Sequence, residues 1–337
     1  MSDSPDKKSN SWCIVVADDH GPEYVPAKDA ASKWPVQYCG FGGRTTLLQR
    51  ALHRAQKLAP IGQIVVTVRE ENRARWEPAL WFIRPERRFI SDSRMTSSLT
   101  TAAALLSIAA GSISHEVTIL PARRYVADEW VLSAALARLH AMLPRIPEGV
   151  GTLGMIDIDG GIDEDYLVPC AGTWGAGILV QGMARQPAEW VARRLHQQGA
   201  MVSSGILVGY AGRFAAHIWR HRPSLKKRLA NLVCSAPSGE HRLSADQCRD
   251  VSRSDLRPLR WWPPTFPQRA FPVYRCGWRG LHTARAVANV STSCPLMIDW
   301  DPQRQTEYEL RPVRCSQVVR SADFDCEHIE YDRVEDR

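Results

Sequence analysis

An α/β fold with a doubly wound, mostly parallel sheet is predicted for this chain on three observations. Short runs that are apolar at nearly every position recur: Cys13-Ile14-Val15-Val16-Ala17, Ile64-Val65-Val66-Thr67-Val68, Val117-Thr118-Ile119-Leu120 and Leu153-Gly154-Met155-Ile156. Such runs are strands covered on both faces. Between them lie stretches with apolar residues at helical spacing, as in 47–58 and 128–143. The regular alternation of the two is the pattern of βαβ units. At 337 residues, 44% of them apolar, the chain can form one large packed domain with an appendage.

Each element follows in order. Residues 1–11 are polar and are expected to be disordered. Cys13–Ala17 is the first strand. The loop from Asp18 to Gly43 runs about 26 residues, and a loop of that length in a compact domain is functional or disordered. Strand, long loop and helix at the start of an α/β chain usually form the ligand-binding corner. Thr45-Thr46 can cap a helix with Leu47, Leu48, Ala51, Leu52, Ala55 and Leu58 on one face, ended by Pro60-Ile61-Gly62. After the second strand, a helix is expected over 70–81, a short strand at Arg88-Phe89-Ile90 and a small-residue helix over 96–110. The strand at 117–120 ends at Pro121, and the helix over 128–143 carries Leu132, Ala135, Leu136, Leu139 and Leu143.

From about Tyr166 the pattern changes. Extended pieces at 167–170 and 177–183 precede a helix over 188–198, a strand at 205–208 and helices near 213–220 and 224–233. Residues 235–275 are rich in Pro, Arg and Trp. The folded domain is expected to span 12–290, with 291–337 a polar, partly ordered tail.

Composition narrows the function. The formal charge of +7 permits affinity for anions such as nucleotides. No arginine-rich segment is interleaved with aromatics, so nucleic acid is not an expected partner. The polar N-terminus has no apolar signal core, and no run approaches the roughly 20 apolar residues of a membrane span; a cytoplasmic protein with no membrane association is expected. The nine cysteines show no CxxC spacing and are expected to be free thiols.

Several segments, in order and at matching spacing, carry a resemblance. They are Pro35-Val36-Gln37-Tyr38, Gly42-Gly43-Arg44-Thr45-Thr46-Leu47-Leu48-Gln49, Asp92-Ser93-Arg94-Met95-Thr96-Ser97 and Leu120-Pro121-Ala122-Arg123 through Asp128-Glu129. Arg185-Gln186-Pro187, Gly199 to Ser204 and Cys276-Gly277-Trp278-Arg279-Gly280-Leu281-His282-Thr283 complete the set. They are similar to the P-K-Q-F, G-G-x-(S/T)-L-L-Q, E-P-x-N-R-G-T-A, L-P-S-D-H-x-V-x-D-E, E-K-P, G-A-L-W-N-S and C-G-W-x-D-x-G-T segments of the sugar-phosphate nucleotidyltransferases. The resemblance is closest to the bacterial mannose-1-phosphate guanylyltransferases (GDP-mannose pyrophosphorylases). It implies the nucleotide-diphospho-sugar transferase fold, which is GT-A-like and Rossmann-related. It also implies transfer of a nucleotidyl group from GTP to a sugar 1-phosphate, with Mg²⁺ as cofactor if the chain is active. The implied ligands are a nucleotide or a sugar phosphate.

The chemistry of that family needs backbone N–H groups close to a triphosphate, basic side chains on the developing charge and carboxylates for the metal. Here the family's A-G-G has become Ala17-Asp18-Asp19, although Gly21 remains. The following T-R is Pro22-Glu23, the lysine of P-K-Q is Val36 and the lysine of E-K-P is Gln186. The two metal aspartates have become Arg123 and Gly280. With these charges lost or reversed, a catalytically inactive homologue with a binding or regulatory role, a pseudoenzyme, is expected. The alternative is an active nucleotidyltransferase with a rebuilt site. A third reading is a ligand-free chain that assembles with an active homologue or with itself. By resemblance the nucleotide-binding candidates are Ala17, Gly21, Gln37, Arg94 and Thr96. If a metal binds, Asp18, Asp19, Asp157 and Asp159 are the candidates, with Asp163 and Glu164 beside them.

Two further patterns are weighed. Asp18-Asp19 after an apolar strand looks like a receiver domain's acidic pair, but no later strand ends in the phosphoacceptor aspartate that fold needs. His217 and His221 have the HxxxH spacing of zinc ligands on a helix, without the glutamate of H-E-x-x-H. They are expected to be a surface pair.

Overall fold

The computed structural model describes residues 10–19, 23–24, 34–43, 45–146, 149–156, 164–170, 177–221, 239–244, 266–281, 283–293 and 296–297. Expectations for 1–9, 222–238 and 298–337 lie outside the described residues.

A ten-stranded sheet organises the chain. Its strands are β1 (Ser11–Val16), β2 (Ile64–Arg69), β3 (Arg88–Ser91), β4 (Glu116–Pro121), β5 (Val150–Met155), β6 (Tyr166–Pro169), β7 (Ile178–Ala184), β8 (Met201–Tyr210), β9 (His241–Leu243) and β10 (Arg269–Val273). The order across the sheet is β6-β7-β10-β5-β8-β4-β1-β2-β3-β9. Strands β4, β1, β2, β3 and β9 form a parallel block, and β5 pairs parallel with β10. Only β7 and β8 run against the rest. The sheet is therefore mixed but mostly parallel, as expected. The apolar runs at the centre are buried at every position because both faces are covered.

The helices divide between the two faces. Helix α1 (Leu47–Leu58) packs on one face with α3 (Glu129–Met142) and α4 (Glu189–Gln197), around Leu48, Leu52, Leu132, Leu136, Leu139 and Ala192. Helix α2 (Ser97–Gly111) packs on the other with α5 (Ala211–His221), around Leu99, Leu105, Phe214 and Ile218. A third small core joins Val36, Cys39, Phe41 and Leu47 to Leu281, Val287 and Val290, the last two in helix α6 (Ala284–Ser293).

Local chemistry sets the helix ends. Thr46 and Gln49 form a capping box: the Gln49 N–H donates to Thr46 Oγ1 at 3.2 Å, and the Thr46 N–H donates to Gln49 Oε1 at 2.8 Å. The Asp128 carboxylate accepts from the N–H groups of Trp130 and Val131 at the start of α3. Arg54 of α1 clamps Glu129 of α3 bidentately, at 2.6 to 3.1 Å. The helix expected over 70–81 is broken into turns at Glu70–Asn72, Arg73–Trp76 and Pro78–Leu80. Pro78 lacks the N–H that would continue it. Among the described residues no helix is long and apolar enough to cross a membrane.

Candidate functional site

The chain leaves β1 through α1 on one face and enters β4 from α2 on the other. Since β1 and β4 are neighbours, the windings diverge there, and a crevice is expected beyond their C-terminal ends. The residues that follow these strands are Ala17-Asp18-Asp19 and Ala122-Arg123-Arg124. This is the corner singled out by sequence.

Asp18 is fully buried. Its Oδ1 accepts from Thr67 Oγ1 and from Ser97 Oγ, each at 2.7 Å, and its Oδ2 accepts from Ser91 Oγ at 3.4 Å. The hydroxyls come from β2, the end of β3 and the first turn of α2. A carboxylate there also meets the positive end of the helix. Burial nevertheless pushes its pKa above the usual range, against the hydroxyl bonds, and Asp19 adds to the rise. The backbone is held too. Arg69, itself buried, donates to the carbonyls of Asp18 at 2.7 Å, Asp92 at 3.0 Å and Met95 at 3.1 Å.

Asp19 faces the other way. Its Oδ2 lies 3.7 Å from Nη2 of Arg123, an ion pair that spans the crevice from the β1 side to the β4 side. The Arg123 side chain is 10% exposed and that of Asp19 38%. Burial lowers the Arg123 pKa from its ordinary value, and Asp19 opposes the shift. The acid at the end of β1 and the base at the end of β4 thus face each other.

A second charged group lies next to the first. The short strands Arg124–Tyr125 and Arg279–Gly280 pair antiparallel. They bring Gly280 against Arg124 and Glu164. Glu164 is buried, and its Oε1 accepts from the Gly280 N–H at 2.7 Å. A Cβ at Gly280 would overlap both Glu164 carboxylate oxygens and Nη1 of Arg124. A carboxylate from 116 residues earlier in the chain therefore stands against Gly280. The Arg124 guanidinium lies 5.7 Å from the centroid of the buried Trp278 ring. Near it, beyond the ends of β5 and β10, an open pocket is lined by Met155, Val273, Arg275, Cys276, Trp278 and Arg279.

Gln37 is buried in the turn Val36–Tyr38. Its Nε2 donates to the Ala17 carbonyl at 3.1 Å and the Asp19 carbonyl at 3.5 Å, while its Oε1 has no hydrogen-bond partner. It therefore ties the long loop back to the end of β1. Val36 sits in the small third core. Arg94 is exposed and pairs with Asp92 at 3.3 Å. Thr96 is the residue before α2, with its hydroxyl 3.2 Å from Ser98 Oγ. Gln186 has a left-handed backbone, φ 37°, and its N–H donates to Asp165 Oδ1 at 3.2 Å. Gly21, Asp157, Asp159 and Asp163 lie outside the described residues; Glu23 is described in its backbone alone, paired with Pro35.

Of the candidates, Ala17, Asp18, Asp19, Gln37 and Arg123 come together at one strand end, with Gly280 in the adjoining group. Arg94 pairs with Asp92, and the Gln186 N–H bonds Asp165. Sequence reasoning missed Thr67, Ser91, Ser97, Arg69 and Arg124. The surface reading of the histidine pair fails for His217, which is buried with its ring centroid 4.5 Å from that of Phe266. The described cysteines are free thiols, as expected, with Cys13, Cys39 and Cys276 buried.

The Mg²⁺ that the resemblance implies does not fit the described residues. Arginines flank the crevice, and no group of three or more His, Cys, Asp or Glu side chains among the described residues could hold a metal ion. Asp18 spends its oxygens on hydroxyls and Asp19 faces a guanidinium.

The chain has the nucleotide-diphospho-sugar transferase fold. It is similar in structure to mannose-1-phosphate geranyltransferase from Thermus thermophilus, with a TM-score of 0.60 and 22% identity over 83% of this chain and 79% of that one. It is also similar to mannose-6-phosphate isomerase from Helicobacter pylori, with a TM-score of 0.55 and 13% identity over 80% of this chain and 99% of that one. A protein from Bacillus anthracis assigned as a glucose-1-phosphate thymidylyltransferase follows, with a TM-score of 0.50 and 9% identity over 86% and 97%. At these identities the likeness is one of fold. No protein-family model matches the chain, and no curated protein does.

Proposed function

We propose that this chain is a non-transferring homologue of the sugar-phosphate nucleotidyltransferases that binds a nucleotide or sugar phosphate in a regulatory or scaffolding role. The observation that carries it is the Asp19–Arg123 ion pair across the strand-end crevice. The groups at two positions the chemistry needs are engaged with each other. Asp18, beside them, is saturated by hydroxyls. Binding without transfer is supported by the fold, by the buried Oε1 of Gln37 that awaits a donor, and by the pocket rimmed with Arg275 and Arg279.

The test is product formation alongside ligand binding. Incubation with GTP, mannose 1-phosphate and Mg²⁺ is expected to yield no GDP-mannose. At least one nucleotide or sugar phosphate in a thermal-shift panel is expected to raise the melting temperature. Turnover lost on changing Asp19 or Arg123 would overturn the reading. A second reading, an active enzyme with a rebuilt site, is favoured by Glu164, whose carboxylate reaches Gly280. It requires a triphosphate-induced shift that depends on a divalent metal.

A further inference from the structure

Strand β9 is the end strand of the sheet, three residues long, and among the described residues it pairs with β3 alone. It comes from far along the chain: Glu240, just before it, lies 152 residues beyond Arg88. Two of its three side chains, His241 and Leu243, are buried. The His241 ring stacks on Phe89 of β3, with centroids 4.4 Å apart and planes 22° from parallel. The ring donates a hydrogen bond to the Glu86 backbone, and its Nδ1 has no partner among the described residues. A proton added there would be buried without an acceptor. Burial pulls the His241 pKa below its ordinary 6.5, and Arg87 adds to the fall, against the Glu86 carbonyl and carboxylate. Helix α2, which packs on the Phe89 face, has no ionisable side chain, and α5 places its buried His217 against Phe266.

Glu240 clamps the entry of the strand. Its carboxylate accepts from Arg73 at 2.8 and 3.2 Å and from Arg88 at 3.5 Å, and Arg242 lies 3.4 Å away. The Arg73 bonds hold the Glu240 pKa below its ordinary value, so the clamp keeps its charges while His241 titrates. The other end of β9 reaches the site. Leu243 stands beside Ser91, whose hydroxyl bonds Asp18, and the Leu243 carbonyl accepts from the Asp92 N–H at 3.1 Å. We propose that β9 is an acid-released latch: uptake of a proton by His241 frees the strand from β3 and loosens the Ser91–Asp92 end that supports the Asp18 corner. The docked ring takes its proton less readily than the released one. Docking is therefore strongest above about pH 6.5 and weakens as pH falls toward the pKa of the docked ring.

The test is hydrogen–deuterium exchange of the full chain at about pH 7.5 and about pH 5.5, corrected for the intrinsic effect of pH on exchange. Mass spectrometry reads peptides covering β9, residues 88–95 and, as a reference, β5. In wild type, protection of β9 and of 89–92 is expected to fall about three- to tenfold at the lower pH, since one group yields at most about tenfold per pH unit. Protection of β5 is expected to hold. His241→Phe keeps the stack and removes the titration, so its ratio between the two pH values is expected near one. Glu240→Gln weakens the clamp and is expected to lower protection at both pH values with the wild-type ratio kept. Melting curves report whether each variant is folded, and the wild-type comparison needs neither. A wild-type ratio near one, a fall of equal size in β5, or the wild-type ratio in folded His241→Phe overturns the inference. A fall confined to β9 that leaves 89–92 protected also overturns it.

Discussion

Gly280→Ala tests the charged group beside the crevice. The added methyl would overlap both carboxylate oxygens of Glu164 and the Nη1 of Arg124. All of these are ends of side chains, so the backbone can stay while the charges move. Glu164 then gives up the 2.7 Å bond from the Gly280 N–H, a charge-assisted contact of about 1.5–3 kcal/mol in a buried setting. Residual crowding adds about 1 kcal/mol. The expected loss is about 3 kcal/mol, read as a lowered urea midpoint at unchanged slope. The cause is isolated by a cycle: in a Glu164→Ala background the same methyl is expected to cost under about 1 kcal/mol, a coupling near 2 kcal/mol. A loss under about 0.5 kcal/mol, or an equal loss in both backgrounds, would refute the reasoning. Gly280→Asp meets the same obstacle.

Other changes probe the corner and its supports. For Asp18→Asn the sign follows from burial. The folded pKa of Asp18 lies above its ordinary 3.8, so its favourable contribution is full below that value and fades as pH rises through the folded pKa. The variant is expected to gain stability relative to wild type as pH climbs from about 4, and a difference that stays constant with pH would count against it. Glu129→Ala strands the buried guanidinium of Arg54; with Glu129 a third exposed, a loss of about 2 kcal/mol in chemical denaturation is expected, and no loss would mean that water replaces the pair. Gln37→Leu removes the donor to the Ala17 and Asp19 carbonyls and is expected to cost about 1–2 kcal/mol. A neutral result would assign Gln37 to ligand contact instead of loop anchoring.

What could be read in advance was local. The strands at 13–17, 64–68 and 117–120 show their burial on both faces in their own residues, and Thr46 and Asp128 announce the helices they cap. The nest around Asp18 gave no such signal, because Thr67, Ser91 and Ser97 are ordinary hydroxyls until the sheet lines up three elements. Glu164 reads in the sequence only as a candidate metal ligand beside Asp163, and its partner Gly280 lies 116 residues away. The carboxylate that arrives beside Gly280 has no local signal in the sequence. His217 misled for the same reason: HxxxH spacing fixes two rings on one helix face but does not say which face packs against Phe266.

Strand β8 has a consequence for the order in which the molecule is assembled. It lies between β4 and β5, joining the parallel block to the rest of the sheet, and β5 does not touch β4 directly. A chain emerging from the ribosome makes both of those strands long before residues 201–210 exist. Until then each presents an unpaired edge, the kind of surface that sticks to other chains. Closure of the sheet must wait for an insertion between two elements already made, and a pause before residue 201 would be the interval in which a nascent chain most needs a chaperone.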